Sequence, residues 1–252
     1  MNKEYIQQYV WLEKEHWWFV VRQQIILYFL RKRVSGNRLK ILNIGAAGGA
    51  SSKWLGEFGE VLSLESDPLF LEHLQKTGVP ATQALVESMP FEDNQFDLVC
   101  AFDVIEHVRE DALALKEMQR VCKIGGIICL TVPAFQQLWS QHDFVNQHFR
   151  RYTKATLLKA VRAATSLRVL ETKYFNAVLF APIFIARKFS NLLGNKGTKQ
   201  SDFTRFKSAG PANCILKAIF RSELFLLPRI NFPFGVSLVC LLQKTTEQQQ
   251  PG

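Results

Sequence analysis

Apolar side chains at Trp18, Val21, Ile25, Tyr28 and Phe29 recur three and four residues apart and so mark one face of a helix, which ends in the basic run Arg31-Lys32-Arg33. The period then changes. Residues 39–44 read as a buried strand, 61–64 as a second, 79–86 as a third, 96–102 as a fourth and 127–132 as a fifth, with helical patterns between most of them. Residues 153–164 read as another helix, 167–175 as a sixth strand and 236–244 as a final one. Strands alternating with helices predict βαβ units, a parallel sheet and right-handed crossovers. A ligand then belongs at the carboxyl ends of the strands, beside the first.

This pattern divides the chain as one domain over residues 1–252: N-terminal helices at 1–37, a core at 38–175, an apolar and basic insertion at 176–235 broken most clearly at 210–213, and the final strand at 236–245. Composition changes the picture little. Hydrophobic residues make up 48% and charged residues 21%, which is globular rather than disordered. The five cysteines lie in apolar stretches without metal-finger or CxxC spacing, so neither a zinc site nor a disulfide framework is expected, and a reducing cytoplasm fits. No signal peptide is read at the start, and no uncharged stretch reaches the length of a spanning helix.

Charge changes it more. Of the formal +9, residues 1–40 carry +5 and residues 176–235 carry +7, so the rest of the chain is acidic by 3. Such flanks suggest an anionic partner, phospholipid or nucleic acid, or else solvated faces.

The candidate chemistry starts at residues 41–49, ILNIGAAGG, where a strand runs into a glycine-rich turn and then a helical segment from Ser51. Small residues let a ligand approach the backbone closely, and the helix start offers free N–H groups. Twenty residues past Gly45, Glu65 ends the second strand, placed to accept hydrogen bonds from both hydroxyls of a ribose. A dinucleotide turn needs GxGxxG; its positions here are Gly45, Ala47 and Ala50, which argues against a nicotinamide enzyme. Further on, MPFEDNQFDLVCAFDVIEHV (89–108) leads through a helix to RVCKIGGIICLTVP (120–133).

Taken together, these motifs resemble the class I S-adenosylmethionine-dependent methyltransferases over residues 38–175. The resemblance implies a doubly wound, Rossmann-like α/β fold. Its seven-stranded sheet is mostly parallel with an antiparallel last strand, with N-terminal helices and a helical insertion before that strand. It implies S-adenosylmethionine as cofactor and S-adenosylhomocysteine as product. Asn43, Gly45, Ala46, Ala47 and Gly49 would form the turn on the methionine and ribose side, and Glu65 would hold the ribose. Ser66 and Asp67 would border the adenine, Met89 would close its pocket, and Phe102 and Asp103 would complete the site. Three departures stand out: Asn43 for the usual acid, Ala47 for the middle glycine, and Leu85 for a frequent adenine-binding aspartate.

Two sets could supply acid, base or metal. Asp103, Glu106 and His107 have the spacing of one helical turn. They are similar to the EVxEHV stretch of ubiquinone-biosynthesis O-methyltransferases, which is associated with a divalent metal. Helix capping by Asp103 and Glu106, with His107 lining the pocket, is the expectation, and no metal is expected. The second set lies in residues 138–153. His142 or His148 is the candidate base with Asp143 beside it, while His107, Arg150, Arg151 and Tyr152 are candidates for holding the substrate. The cluster Trp17-Trp18-Phe19 reads as core packing or as a lid.

Methyl transfer to a small, amphipathic or lipid- or glycan-linked acceptor follows, with oxygen favoured over carbon as the acceptor atom. A cofactor-binding scaffold without activity is the alternative, and RNA methylation a third reading. DNA base methylation is not expected, because no Asp/Asn-Pro-Pro-aromatic box or Pro-Cys nucleophile follows the fourth strand, and no recognisable RNA module is present, so nucleic acid is not the expected partner. An anionic membrane surface fits the basic insertion, which could equally cap the acceptor or form a dimer contact. Oligomeric state is not readable.

Overall fold

The computed structural model describes residues 3–36, 38–192 and 210–246, so residues 193–209 in the middle of the predicted insertion lie outside the described residues. Two helices, α1 (Lys3–Glu15) and α2 (Trp17–Arg33), precede β1 (Leu39–Ile44). Then come α3 (Ala50–Leu55), β2 (Gly59–Glu65), α4 (Pro68–Lys76), β3 (Ala81–Gln83) and β4 (Phe96–Phe102). The second half runs α5 (Asp111–Val121), β5 (Cys122–Pro133), α6 (Gln141–Val145), α7 (Lys154–Ala164) and β6 (Arg168–Phe175). It closes with α8 (Phe180–Leu192), α9 (Pro211–Leu226) and β7 (Ser237–Gln243).

The strands form one sheet in the order β3-β2-β1-β4-β5-β7-β6, with β7 antiparallel to both its neighbours. Alternation along each strand feeds two cores. Leu42, Val99, Ala101, Leu238, Cys240 and Leu242 face α5 and α7, whose Leu115, Met118, Leu157 and Val161 are fully buried against them. Ile41, Leu98, Cys100, Val239 and Leu241 point the other way, onto Val21, Ile25 and Phe29 of α2 and Phe220 of α9. At about 25 cal/mol per Å² of apolar surface, each such side chain contributes on the order of 2 kcal/mol. The insertion therefore returns its second helix to the core, where α9 packs on α2.

The third strand is shorter than the alternation predicts, three residues in place of 79–86. It lies at the sheet edge, Pro80 just before it lacks an N–H, and only residues 81–83 pair with β2. The turn before β5 is drawn into the strand, because Cys122 already pairs with Phe96 across a bulge. All five cysteines are free, four of them buried in the core.

Candidate functional site

At the carboxyl rim of the sheet the backbone turns sharply. Ala47, Asp103 and Asn176, which follow β1, β4 and β6 and line the same cleft, all have φ between +45° and +58°. Non-glycine residues seldom hold this left-handed conformation, and clustering of such strain around one cleft is a mark of function. The rim borders a chamber of about 1340 Å³.

One end of the chamber is nucleoside-shaped. Gly45 has φ +70°, and a Cβ there would lie 2.7 Å from Val104 Cγ2, so the turn after β1 packs against the residue following Asp103 with no side chain between, and Gly45 itself borders the chamber. Ala47 occupies the next such position at φ +45°, a conformation that glycine adopts more easily than alanine. The buried carboxylate of Glu65 accepts backbone N–H groups from Ala47 (2.9 Å), Ser66 (2.9 Å) and Asp67 (3.0 Å). Burial pushes its pKa up. A carboxylate has about four lone-pair sites, so three bonds to the protein leave one for a ribose hydroxyl rather than two. Asp67 accepts from Leu69 and Phe70 as N-cap of α4 and also borders the chamber with Ser66, Leu85, Phe102 and Asp103. These residues fit S-adenosylmethionine: a turn without side chains, a ribose acceptor and an apolar slot.

Four residues expected in the cofactor wall do not line it. Asn43 is fully buried beneath the turn, where its amide donates to Ser51 and Ser52 at 2.8 Å. Ala46 packs with Leu74 and Val79 behind the turn. Gly49 also faces α4, where a Cβ would meet Leu74 Cδ2 at 2.8 Å, so its φ of +86° serves helix packing. Met89 belongs to the core, with its backbone held by Glu117 and Arg120.

The N-terminal helices roof this end. Tyr5, Tyr9 and Leu12 of α1 and Trp18, Phe19 and Arg22 of α2 line the chamber, so the Trp17–Phe19 cluster packs and roofs at once. Arg22 pairs with Asp103 at 2.5 Å, donates to Thr131 at 3.1 Å and lies 4.8 Å over the Trp18 ring. Glu13 reaches the N–H of Ala50 at 3.4 Å, and burial raises its carboxyl to about 7. Neither residue belongs to a recognisable motif, and the one local signal is that Arg22 interrupts an apolar run.

The other end holds the candidate base. His148 Nδ1 lies 2.8 Å from Asp143 Oδ1. Arg151 clasps the same carboxylate, with Nε 2.7 Å from Oδ1 and Nη2 3.1 Å from Oδ2. Burial would push Asp143 up, but hydrogen bonds from His148 and Arg151 hold it well below the usual carboxylate range. Asp143 is thus an anion buried behind His148, while His107, His142, His148 and Arg151 line the chamber. His142 contacts the amide of Asn146 at 3.1–3.2 Å. His148 is thus an imidazole on the chamber wall with an acidic group placed to orient it.

Arg150 and Tyr152, expected to grip substrate, do not line the chamber. Both are committed to Asp111, at 3.0 Å and 2.7 Å. The trio 103, 106 and 107 is not one helical face either, because Asp103 is left-handed and only Ile105–His107 form a 3-10 turn. Neither acid caps a helix: the turn and α5 both start without a side-chain cap. Asp103 instead pairs with Arg22. Glu106 is fully buried with both oxygens lacking a hydrogen-bond partner, and burial, then the charge of Asp103, raise its pKa well above the ordinary value. Burial, then His148, lower His107 to about 4. Ligand atoms of Glu106, His107 and His148 lie within 4.8 Å of one another, so the set able to hold a metal contains His148 in place of Asp103.

The insertion completes the wall with Leu179, Ile183 and Arg187 from α8 and its approach, and Leu216 from α9. Glu223, the lone acid of α9, accepts the N–H groups of Ala177 (2.9 Å) and Val178 (3.4 Å) just after β6. A single acid among apolar and basic residues was a signal available in the sequence; its partner loop was not.

Comparison with known proteins bears on the family and the fold. Residues 42–130 match the family described as a methyltransferase domain. Demethylmenaquinone methyltransferase of Staphylococcus carnosus (strain TM300) is 37% identical over 103 residues, 35% of this chain and 41% of that protein. The Staphylococcus aureus (strain MRSA252) protein of the same name is 37% identical over 102 residues, 36% and 42% of the two chains. This chain thus spans about two fifths of the length of the curated relatives it matches. Among solved structures, a SAM-dependent methyltransferase from Archaeoglobus fulgidus has TM-score 0.58 and 14% identity, covering 94% of this chain and 99% of that one. The [4+2]-cyclase SpnF has TM-score 0.57 and 16% identity, covering 88% and 80%. The fold is shared with both, so the reaction has to be argued from the site.

Proposed function

We propose, for a chain whose residues 42–130 form the core of a class I S-adenosylmethionine-dependent methyltransferase domain, that it methylates a small amphipathic acceptor, a quinol-like ring being the best fit, on oxygen in preference to carbon. The observation that carries this reading is the Asp143–His148 pair on the chamber wall. Bound S-adenosylmethionine supplies an electrophilic methyl on a sulfonium. Glu65 and the glycine turn orient the nucleoside, and the roof of α1 and α2 keeps water out. Asp143 fixes the tautomer of His148, whose Nε2 then takes the proton of an acceptor hydroxyl as it attacks. The relatives named for a quinone substrate support a ring acceptor. Methyl-group release from labelled cofactor onto a panel of quinols and phenols tests it. A protein that binds S-adenosylhomocysteine but methylates none of them is the scaffold alternative.

One observation favours a second reading, the closeness of Glu106, His107 and His148 around an orphaned carboxyl. A divalent ion on these three would stabilise an acceptor oxyanion and make His148 a ligand instead of a base. Under the base reading, turnover is unchanged by a chelator. Loss with chelator and recovery with magnesium or manganese establishes the metal reading in its place.

The insertion is proposed to deliver the acceptor from an anionic lipid surface. Ile185, Phe189, Ile215, Ile219 and Phe225 are exposed on α8 and α9 beside Lys188, Lys217 and Arg221, while other residues of the same helices line the chamber. No described helix is long and apolar enough to cross a membrane. Each basic group near an anionic surface contributes about 1 kcal/mol. Arg187 belongs with the chamber wall, since it donates to Leu138 O at 2.9 Å. Replacing Lys188, Lys217 and Arg221 together by glutamine is therefore expected to cut cosedimentation with anionic vesicles by at least about tenfold, with S-adenosylhomocysteine affinity within about twofold. Unchanged vesicle binding would leave α8 and α9 as an acceptor cap or dimer contact.

A further inference from the structure

Asn176 is the first residue after β6, and three observations about it converge. Its side chain is fully buried, and neither its amide nitrogen nor its carbonyl oxygen has a hydrogen-bond partner. Its backbone is left-handed, at φ +58°. It stands in the chamber wall, in the acceptor half with Leu179, Ile183 and Ser237. A buried carboxamide without partners is costly, and left-handed backbone adds to that cost for any residue with a Cβ. Within the described residues no hydrogen bond satisfies the amide.

The conformation is imposed from outside the strand. Glu223 of α9 collects the N–H groups that follow Asn176, from Ala177 at 2.9 Å and Val178 at 3.4 Å, and Val236 N donates to the carbonyl of Asn176 at 3.3 Å. The turn is thus clamped between the insertion helix and the start of β7. A clamp on a strained, unsatisfied polar residue in a ligand chamber is an arrangement expected of a group reserved for a ligand.

We propose that Asn176 binds the methyl acceptor, its carboxamide hydrogen-bonding a ring hydroxyl or carbonyl, and that Glu223 is the positioning residue that holds the turn. This deepens the acceptor reading above and rests on it for the class of ring. A carboxamide both donates and accepts, so it serves the hydroxyl of a quinol and the carbonyl of a quinone alike. It carries no charge, so it does not compensate the charge of a carboxylate or phosphate.

The test pairs stability with affinity in Asn176→Gly, which suits the backbone conformation and removes the orphaned amide. The thermal midpoint is expected to rise by about 2–4 °C. In calorimetry with S-adenosylhomocysteine bound, affinity for 1,4-dihydroxynaphthalene, kept reduced, is expected to fall about tenfold. The same-shaped 1,4-dimethylnaphthalene, which lacks ring oxygens, should bind wild type and variant alike. Glu223→Ala should lose diol affinity similarly, keep S-adenosylhomocysteine, and melt lower rather than higher; Glu223→Gln, which retains a carbonyl oxygen, should restore part of the diol affinity. If the wild type does not bind the diol, the quinol-like reading and the ligand role of Asn176 that rests on it fall together, whatever the melting point of Asn176→Gly. If Asn176→Gly melts lower, or binds the diol as wild type does, the amide is a structural group and the proposal is overturned.

Discussion

His148→Gln is expected to lower kcat by about 10²–10⁴-fold while S-adenosylhomocysteine affinity stays within about twofold. The argument rests on one bond. With Nδ1 held 2.8 Å from Asp143, the ring has its other nitrogen for the acceptor proton, and glutamine cannot take that proton. His148 is not part of the nucleoside end, so cofactor binding is insulated from the change. Asp143→Asn is a poorer test, because it strips the buried Arg151 of its carboxylate and costs about 3–5 kcal/mol of stability. Rates should be measured at saturating cofactor over a range of pH. Full activity in His148→Gln would remove the base, and the same substitution at His142 would then be the one to make.

Glu65→Gln is expected to weaken S-adenosylmethionine by about 1.5–3 kcal/mol, or roughly 10- to 150-fold. The single lone-pair site left on this carboxylate meets a ribose hydroxyl as a charge-assisted bond, and the amide forfeits that charge. Alanine would do more. It would orphan the N–H groups of Ala47, Ser66 and Asp67 and loosen the turn itself, so the thermal midpoint would fall with the affinity. Calorimetry beside a melting curve separates the two effects. Unchanged affinity in Glu65→Gln would take Glu65 out of the cofactor site.

The sheet was legible because alternation is a local property. Residues 39–44 and 96–102 match β1 and β4 end for end, since both faces of a central parallel strand are buried and both flanks carry turn residues. Residues 79–86 misled for the same reason: Val79 and Val86 are buried, but beside the sheet instead of in it. The motifs also located the turn at Gly45 and the acid at Glu65, because a ligand-binding turn needs particular residue types at particular spacings.

Side-chain partnership was not legible, because it depends on which elements meet. The sequence presents Arg150 and Arg151 as equals, yet Asp111 takes one and Asp143 the other. It spaces Asp103, Glu106 and His107 as a helical turn, but a left-handed residue at 103 sends Asp103 to Arg22 and leaves Glu106 beside His107 and His148. By itself the sequence determined the sheet, the cofactor end and the loop that would hold the base, all of them written in residues close together along the chain. The choice of His148 over His142, the roof of α1 and α2, and the clamp of Glu223 on the turn at Asn176 were decided by tertiary structure alone. Each joins groups from separate elements, and only packing fixes which buried polar group finds a partner and which is left without one.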